Sequence, residues 1–245
     1  MAQPYLSVII PAYNEETKIE LDLAAALEYF EAQPYGFEVV AVDDGSSDRT
    51  PEVLRAWEQR SAGRLRAVCY RPNRGKGCAV RTGMLAARGE VRMFADAGLC
   101  VPFHDTVAGL AALGRGYDVA IGSRKLADSR VLQPPARYRQ WGSRLFGAVV
   151  RRIMGLGGLH DTQCGFKFYT ARAAEELFGA SRIDGFMFDA EILILARRRG
   201  LKICEFPVQW RADPDSRYRP LVGSLRNLVE LARIKFGRTR PHTGL

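Results

Sequence analysis

The sequence predicts an α/β protein in which helices cover both faces of a mainly parallel sheet. The first observation is that short apolar runs alternate with helical patterns through the first half of the chain. The second is that several of these runs stop at proline or at acidic residues, as short buried strands do. The third is size: 245 residues with 47% hydrophobic side chains suffice for one large α/β domain or two small ones.

Five apolar runs predict the strands of the first half. They are residues 6–14, 37–48, 64–71, 90–102 and 117–124. Between them, a helical pattern extends from about Glu15 to Ala32, and a second helix has Pro51 in its first turn. A glycine-rich turn then leads into a third helix that ends at Gly89. In a sheet of this type, ligands bind at the carboxyl ends of the strands, which is where we expect the site.

The pattern changes after Arg124. Residues 136–155 predict a helix with arginines along one side and a mainly apolar opposite side. Such a helix either lies on a membrane surface or packs on its own domain. The remaining elements are a segment over 161–170, a strand or helix over 186–200, a strand over 202–210 and a basic helix near 221–236.

The net charge of +9 is unevenly distributed. Residues 1–123 contain 13 basic and 16 acidic side chains, residues 124–152 contain eight and one, and residues 197–240 contain twelve and four. Such an excess indicates either a solvated basic surface or an anionic partner, for example a phosphate or a lipid headgroup. The basic runs have no aromatic base-stacking platform and no known RNA or DNA motif, so we expect no nucleic-acid partner.

Cysteine usage and hydropathy limit the cellular setting. Five scattered cysteines without a CxxC pair match neither a disulfide framework nor a zinc pattern, and they suit a reducing compartment. The first residues lead straight into a predicted strand, so no signal peptide is expected. No run approaches the roughly 18 apolar residues of a membrane span.

Polar and aromatic residues follow three of the predicted strands. Tyr13 and Glu15 follow the first strand, Asp43 and Asp44 end the second, and Asp96 ends the fourth. Such side chains can contact a nucleotide, a phosphate or a metal ion, although a single strand-end acid is often a turn former. Three such ends on neighbouring strands favour a ligand site.

Other common sites find little support. A P-loop is excluded because nothing fits its spacing, and the GxG at residues 75–77 lacks the third spaced glycine and does not follow the first strand. The three histidines are far apart in the sequence, which gives a histidine-metal or Ser-His-Asp site little support.

Several blocks in combination resemble glycosyltransferase family 2, whose nucleotide-sugar enzymes have the GT-A fold. They are VIIPAYNEE, VVAVDDGSSDRT, NRGKGCAVRTGM and the strand over 90–102. In the second half, GSR, DTQCGFKFY, FMFDAEIL and EFPVQW look like the dolichyl-phosphate β-glucosyltransferases, with the dolichyl-phosphate mannose synthases as close cousins. The resemblance covers about residues 7–235. It implies one continuous domain with a nucleotide-sugar part at 1–123 and an acceptor part with amphipathic helices at 124–245.

The resemblance implies a set of donor-binding residues. The base is expected at Pro11, Ala12, Tyr13, Glu15, Asp43 and Asp44, the sugar near Asp161 and Gln163, and the diphosphate near Lys76, Asp96, Ala97, Arg211 and Arg217. Asp44 would accept a uracil N–H, or it is a turn former before Gly45. Asp96 would act through a divalent cation, Mg²⁺ or Mn²⁺, that offsets the charge of the leaving diphosphate.

The acceptor side rests on fewer residues. Arg124 is the first candidate for holding an acceptor phosphate, and Arg139 with Ser143 is the second, although Arg139 could equally face lipid or solvent. A phosphate monoester is already an anionic nucleophile and needs positioning more than a strong base. Asp189 is therefore expected to orient the sugar or the acceptor, while Glu191 is about as well explained by a structural role.

The function that follows is an inverting glycosyltransferase. It would move a hexose onto a polyprenyl phosphate, and glucose from UDP-glucose is the favoured donor. The protein would be attached peripherally to the cytoplasmic face of a membrane. Three alternatives remain: a GDP-mannose donor, a soluble acceptor with the basic helix as a contact between identical subunits, or a non-catalytic nucleotide-sugar binder.

The family pattern has a second acid where this chain has Gly98. Since Mg²⁺ often takes only one or two protein carboxylates together with substrate phosphates, Asp96 alone can suffice. On this reasoning, Gly98→Asp is expected to be tolerated or to raise the affinity for the metal.

Overall fold

The computed structural model describes residues 3–133, 155–212, 227 and 229–234. Its strands, in chain order, are β1 Leu6–Ala12, β2 Phe37–Asp43, β3 Leu65–Cys69, β4 Val91–Ala95, β5 Val119–Ser123, β6 Arg130–Gln133, β7 Phe166–Thr170, β8 Ile203–Pro207 and β9 Gln209–Arg211. Seven of them form one sheet in the order β3-β2-β1-β4-β7-β5-β8. Strand β7 runs antiparallel to both of its neighbours and the other pairs are parallel, so the predicted mainly parallel sheet is confirmed.

The described helices flank this sheet. They are α1 Ile19–Glu31, α2 Thr50–Arg60, α3 Lys76–Ala86, α4 Thr106–Gly114, α5 Ala171–Ala180 and α6 Phe188–Arg198, with a 3₁₀ turn at Phe103–Asp105. Residues 229–234 are also helical. In the described residues, no helix has the length and apolar character needed to cross a membrane.

Alternation along the buried strands divides the core into two layers. Val8 and Ile10 of β1 pack with α1 on one face of the sheet, whereas Ile9 between them packs with α3 on the other. Helices α5 and α6 join the layer of α3, and α4 joins that of α1. The predicted helices on both faces are therefore present.

The second half of the chain corrects several expectations about elements. Residues 186–200, open between strand and helix, contain α6, and the predicted strand over 202–210 is divided between β8 and the start of β9. The sequence did not predict β6, α4 or α5. Strand β6 pairs with β9 in a small separate sheet. The predicted amphipathic helix over 136–155 lies outside the described residues except for its last position, and of the predicted helix near 221–236 only residues 227 and 229–234 are described.

Candidate active site

The strand order brings three predicted strand ends to one edge of the sheet. Strands β2, β1 and β4 are adjacent. Tyr13 and Glu15 therefore lie beside Asp43 and Asp44 on one side and beside Asp96 on the other. Pro11 and Ala12 end β1 and pair with Val42 and Asp43 of β2.

Hydrogen bonds lock the loop after β1 to the loop after β2. Asn14, in left-handed backbone at φ 54°, accepts a hydrogen bond from Ser47 N at 2.8 Å and donates its own backbone N–H to Ser46 Oγ at 2.8 Å. Glu15 N donates to Thr50 Oγ1 at 2.8 Å. The Tyr13 side chain is 40% exposed beside this framework, as a residue that stacks on a base must be.

Asp44 organises the turn after β3. Its carboxylate accepts from Tyr70 Oη at 2.7 Å, Asn73 Nδ2 at 2.8 Å and the backbone N–H groups of Arg74 and Gly75, each at 2.9 Å. The residue is only 3% exposed. This geometry gives Asp44 a turn-forming role, and a contact with a nucleotide base stays a prediction.

Asp43 has fewer partners inside the protein. It is buried, and Ser46 N lies 3.3 Å from both of its carboxylate oxygens. Burial raises the pKa of Asp43, and the hydrogen bonds from Ser46 oppose that rise. A carboxylate with remaining acceptor capacity at a strand end suits contact with a ligand.

Two glycines allow the start of α3 to approach another loop closely. A Cβ atom on Gly75, which has φ 113°, would lie 2.5 Å from the carbonyl oxygen of Asp184, and one on Gly77 would lie 2.5 Å from that of Ile183. Gly77 N donates to Asp184 O at 2.7 Å. The close packing holds Lys76 at the first turn of α3, pointing towards the end of β4.

Lys76 and Asp96 form an ion pair in which Nζ lies 2.7 Å from Oδ1. Burial lowers the pKa of Lys76, but the charges of Asp96 and Asp189 outweigh it and hold the pKa above its usual value. The backbone of Asp96 is fixed because its N–H donates to Gly165 O at 2.9 Å. A Cβ on Gly165 would lie 2.0 Å from the Asp96 carboxyl carbon, so only glycine leaves room for this carboxylate.

The loop after Asp96 rests on a buried carboxylate that the sequence did not indicate. Asp22 of α1 accepts hydrogen bonds from Gly98 N and Leu99 N, each at 2.9 Å. These two residues have φ of 94° and 47°. From the opposite side, Arg211 Nε donates to Leu99 O at 3.0 Å. We therefore expect Gly98→Asp to strain the loop, against the expectation from the sequence, because side chains rarely adopt this backbone conformation.

Asp189 lies at the start of α6, and its partner is Lys167 of β7. Lys167 Nζ lies 2.5 Å from Asp189 Oδ1 and also donates to Cys164 O at 2.6 Å. Lys167 is fully buried and Asp189 is 4% exposed. Burial raises the pKa of Asp189, with the charges of Lys167 and Lys76 opposing the rise. Asp189 is thus held in place by a buried ammonium, and it also interacts electrostatically with Lys76.

Arg124 follows β5 and is held by Asp161. Arg124 Nε and Nη2 lie 2.6 Å and 2.8 Å from the two carboxylate oxygens, and Asp161 is 1% exposed. Burial would raise the pKa of Asp161, but the hydrogen bonds and charge of Arg124 lower it to about 2. The guanidinium carbon of Arg124 also lies 5.2 Å from the ring centroid of Trp210. Arg124 is therefore a fixed cation whose side chain remains 25% exposed.

Some of the remaining predicted site residues lie within the described part of the chain and others lie outside it. Gln163 is half-buried, and its backbone N–H lies 3.4 Å from Asp161 Oδ1. Glu191 accepts from the backbone of Arg182 and Ile183, which supports its structural interpretation. Three predicted residues lie outside the described part of the chain: Arg139, Ser143 and Arg217.

The residues at Asp96 fit a divalent cation that is shared with a diphosphate. Within residues 3–133, 155–212, 227 and 229–234, no group of three or more His, Cys, Asp or Glu side chains could hold a metal ion alone. The Oδ1 atom of Asp96 is buried, with the Lys76 ammonium beside it. One carboxylate together with substrate phosphates is a common coordination for Mg²⁺.

Sequence reasoning missed Asp22, Gly165, Lys167 and Trp210. Asp22 and Lys167 lie within predicted elements at positions that become buried, where a charged side chain requires a partner. A charged residue at a position that the pattern predicts to be buried was therefore the available signal. The partners could not be identified from it, because Gly98 N–H is 76 residues from Asp22 and Asp189 is 22 residues from Lys167. No periodic pattern identifies them.

Comparisons with known proteins agree with this arrangement. The model of Glycosyl transferase family 2 matches residues 7–178. The chain is 32% identical to a dolichyl-phosphate beta-glucosyltransferase of Dictyostelium discoideum, over 95% of this chain and 74% of the relative. It is 35% identical to that of Drosophila melanogaster, over 88% of this chain and 69% of the relative.

Solved structures show the same fold. A glucosyl-3-phosphoglycerate synthase of Mycobacterium tuberculosis in complex with UDP has a TM-score of 0.67 at 23% identity, covering 99% of this chain and 83% of that one. The same enzyme with Mn²⁺, UDP-glucose and phosphoglyceric acid has a TM-score of 0.65 at 21% identity, covering 99% and 82%. At this identity the likeness establishes the GT-A fold.

Proposed function

Since the chain belongs to glycosyltransferase family 2 and is a glycosyltransferase, we propose that it transfers glucose from UDP-glucose to a polyprenyl phosphate. The observation that carries the proposal is the presence of two cations, each paired with a carboxylate, near the ends of the strands. Lys76 lies against Asp96 on the donor side, and Arg124 is held by Asp161 on the acceptor side. A diphosphate leaving group and a phosphate nucleophile each require such a charge. The dolichyl-phosphate beta-glucosyltransferases that resemble the chain over most of its length support this choice of substrates.

The donor would lie across the carboxyl ends of β1, β2 and β4. Tyr13 offers an exposed ring to the base, and Asp43 offers a buried carboxylate with free acceptor capacity. Lys76 would turn from Asp96 towards the diphosphate as it binds. Gln163 and Asp189 would contact the sugar from the second half of the site. A divalent cation at Asp96, when bound, would offset the negative charge that develops on the departing UDP.

The transfer would be a single displacement with inversion. An acceptor phosphate oxygen forms a bond with C1 of glucose while the bond from C1 to the diphosphate oxygen breaks. The nucleophile is anionic before it binds, so no side chain needs to remove a proton. Arg124 would hold the acceptor phosphate, and its bidentate contact with Asp161 fixes its orientation. Preorganisation of this kind avoids an entropic cost during the reaction.

The two halves of the chain would divide this work. Residues 1–123 would bind the nucleotide sugar and residues 124–245 the acceptor, within one continuous domain. The basic excess after residue 124 supports attachment to an anionic membrane surface at its cytoplasmic face. Arg139, Ser143 and Arg217 keep their proposed roles as contacts to the acceptor or the diphosphate.

The test is a panel of UDP- and GDP-sugars with Mg²⁺ or Mn²⁺, with and without a short polyprenyl phosphate, followed by nucleotide release and product analysis. We expect transfer with UDP-glucose that depends on the lipid phosphate. Better thermal protection and turnover with GDP-mannose would overturn the donor assignment. Transfer to a soluble phosphate but not to the lipid would favour a soluble acceptor, and UDP binding without any transfer would favour a binding protein.

A further inference from the structure

An apolar cavity of about 390 Å³ lies beside the loop that follows Asp96. Helix α1, the loop 99–104, strand β6 and strand β9 form its walls. The lining residues used below are Ala25, Leu99, Leu132, Trp210 and Arg211. Its volume falls within the range of about 300–1,000 Å³ of small-molecule sites, and its walls are largely apolar.

Two features connect the lining of this cavity with Asp96 and Arg124. Leu99 is three residues after Asp96, so the two Cα atoms are at most about 11 Å apart. Trp210 lines the cavity, and the guanidinium carbon of Arg124 lies 5.2 Å from its ring centroid. The cavity therefore shares Trp210 with the cation that we assign to the acceptor phosphate, and its wall includes Leu99 of the loop that follows the strand end that we assign to the donor.

The chemistry of the cavity matches an amphiphile with an anionic head. Arg211 is exposed at the lining and donates to Leu99 O through Nε, and its terminal nitrogens have no hydrogen-bond partner within the described part of the chain. Leu132 of β6 is 62% exposed. An exposed leucine in the lining of a cavity that also includes an arginine suits a ligand that brings apolar surface of its own.

We propose that this cavity binds the isoprene units next to the phosphate of the polyprenyl acceptor. The phosphate lies towards Arg124 and the first part of the chain passes over Trp210 into the space between α1 and β6. The proposal rests on the proposed function, because that function supplies a lipid phosphate as the acceptor. It adds a chain-recognition site that separates prenyl phosphates from small polar phosphates.

The test fills the cavity from α1. Ala25→Phe places a ring in the cavity, and Ala24→Phe makes the same change at a neighbouring half-buried position that does not line it. A second pair removes the apolar rim: Leu132→Ser, with Val131→Ser as its control on the same exposed strand. Thermal unfolding of all four variants establishes that they are folded.

Calorimetry then measures the affinity for isopentenyl phosphate, farnesyl phosphate and inorganic phosphate in the presence of UDP. We expect the wild type to bind farnesyl phosphate at least tenfold more tightly than isopentenyl phosphate. Ala25→Phe and Leu132→Ser should remove most of this preference, and the two controls should keep it. Equal affinity for both prenyl phosphates in the wild type, or equal losses in the controls, would overturn the proposal.

A measurement of glucose transfer distinguishes the failure of this proposal from the failure of the proposed function on which it rests. A preference for the longer chain without any glucose transfer leaves the cavity assignment standing and overturns the proposed function. Glucose transfer that is indifferent to chain length and to Ala25→Phe overturns the cavity assignment alone.

Discussion

The ammonium of Lys76 lies 2.7 Å from Oδ1 of Asp96, the carboxylate that we assign to a divalent cation. The lysine thus already contacts a carboxylate oxygen that a cation would use as a ligand. Positive charges exclude each other, so the ion must compete with the ammonium until a diphosphate draws Lys76 away.

The first prediction concerns this competition. Lys76→Met should raise the affinity for Mn²⁺ in the absence of nucleotide by about tenfold, equivalent to about 1.4 kcal/mol. Lys76→Arg keeps the charge and should leave metal affinity low. Calorimetric titration with Mn²⁺ provides the measurement, and Asp96→Asn should abolish binding in either background. Unchanged affinity in Lys76→Met would show that the ion pair does not compete with the metal.

The second prediction concerns Asp22. Burial raises its pKa to about 6 despite hydrogen bonds from Gly98 and Leu99, and Glu15 adds to the rise while Lys18 opposes it. This value lies above the ordinary 3.8, so the folded protein takes up the proton more readily than the unfolded chain. The contribution of Asp22 to the free energy of unfolding therefore grows as pH falls from about 6 to about 4.

Urea unfolding of wild type and Asp22→Asn at several pH values measures this effect. The stability of the wild type relative to the variant should rise by up to about 3 kcal/mol between pH 7 and pH 4. Glu20→Gln changes an exposed acid on the same helix and should show no such trend. A constant difference between wild type and Asp22→Asn would contradict the raised pKa.

The third prediction concerns Gly98, which has φ 94° and donates its N–H to Asp22. Gly98→Asp should lower stability by about 2 kcal/mol through backbone strain, and it should not strengthen metal binding. Gly116→Asp is the matched control, because Gly116 has φ 88° and open space where a Cβ would lie. Both variants should lose similar stability, whereas only Gly98→Asp should weaken the binding of UDP with Mn²⁺. Stronger metal binding by Gly98→Asp would restore the view that a ligand is missing at this position.

The sequence predicted the sheet and the edge where its acidic strand ends meet because local signals encode them. Apolar runs that stop at Asp43, Asp44 and Asp96 identify strands and their ends within a few residues. It did not predict β6, whose four residues are all exposed, because its pairing with β9 depends on a partner 79 residues away. The pairing of Lys167 with Asp189 was not predicted for the same reason, since a contact between a strand and a distant helix leaves no periodic pattern in the sequence.

The last prediction separates catalysis from folding at Arg124. Its guanidinium lowers the pKa of the buried Asp161 to about 2, below the ordinary 3.8. The pair therefore contributes about 2 kcal/mol to the free energy of unfolding above pH 4, and this contribution is lost as pH falls towards 2. Arg124→Ala leaves a buried carboxylate without its cation and should cost about 3 kcal/mol.

The double variant Arg124→Ala with Asp161→Asn removes the uncompensated charge, so much of that stability should return. If Arg124 holds the acceptor phosphate, glucose transfer should stay at least a hundredfold below wild type in the double variant, while its affinity for UDP with Mn²⁺ stays within about threefold, a difference below 1 kcal/mol. Arg124→Lys, which keeps a charge but not the planar contact with Asp161, should recover part of the transfer. Recovery of transfer together with stability in the double variant would assign Arg124 to the fold and leave the acceptor phosphate to another cation.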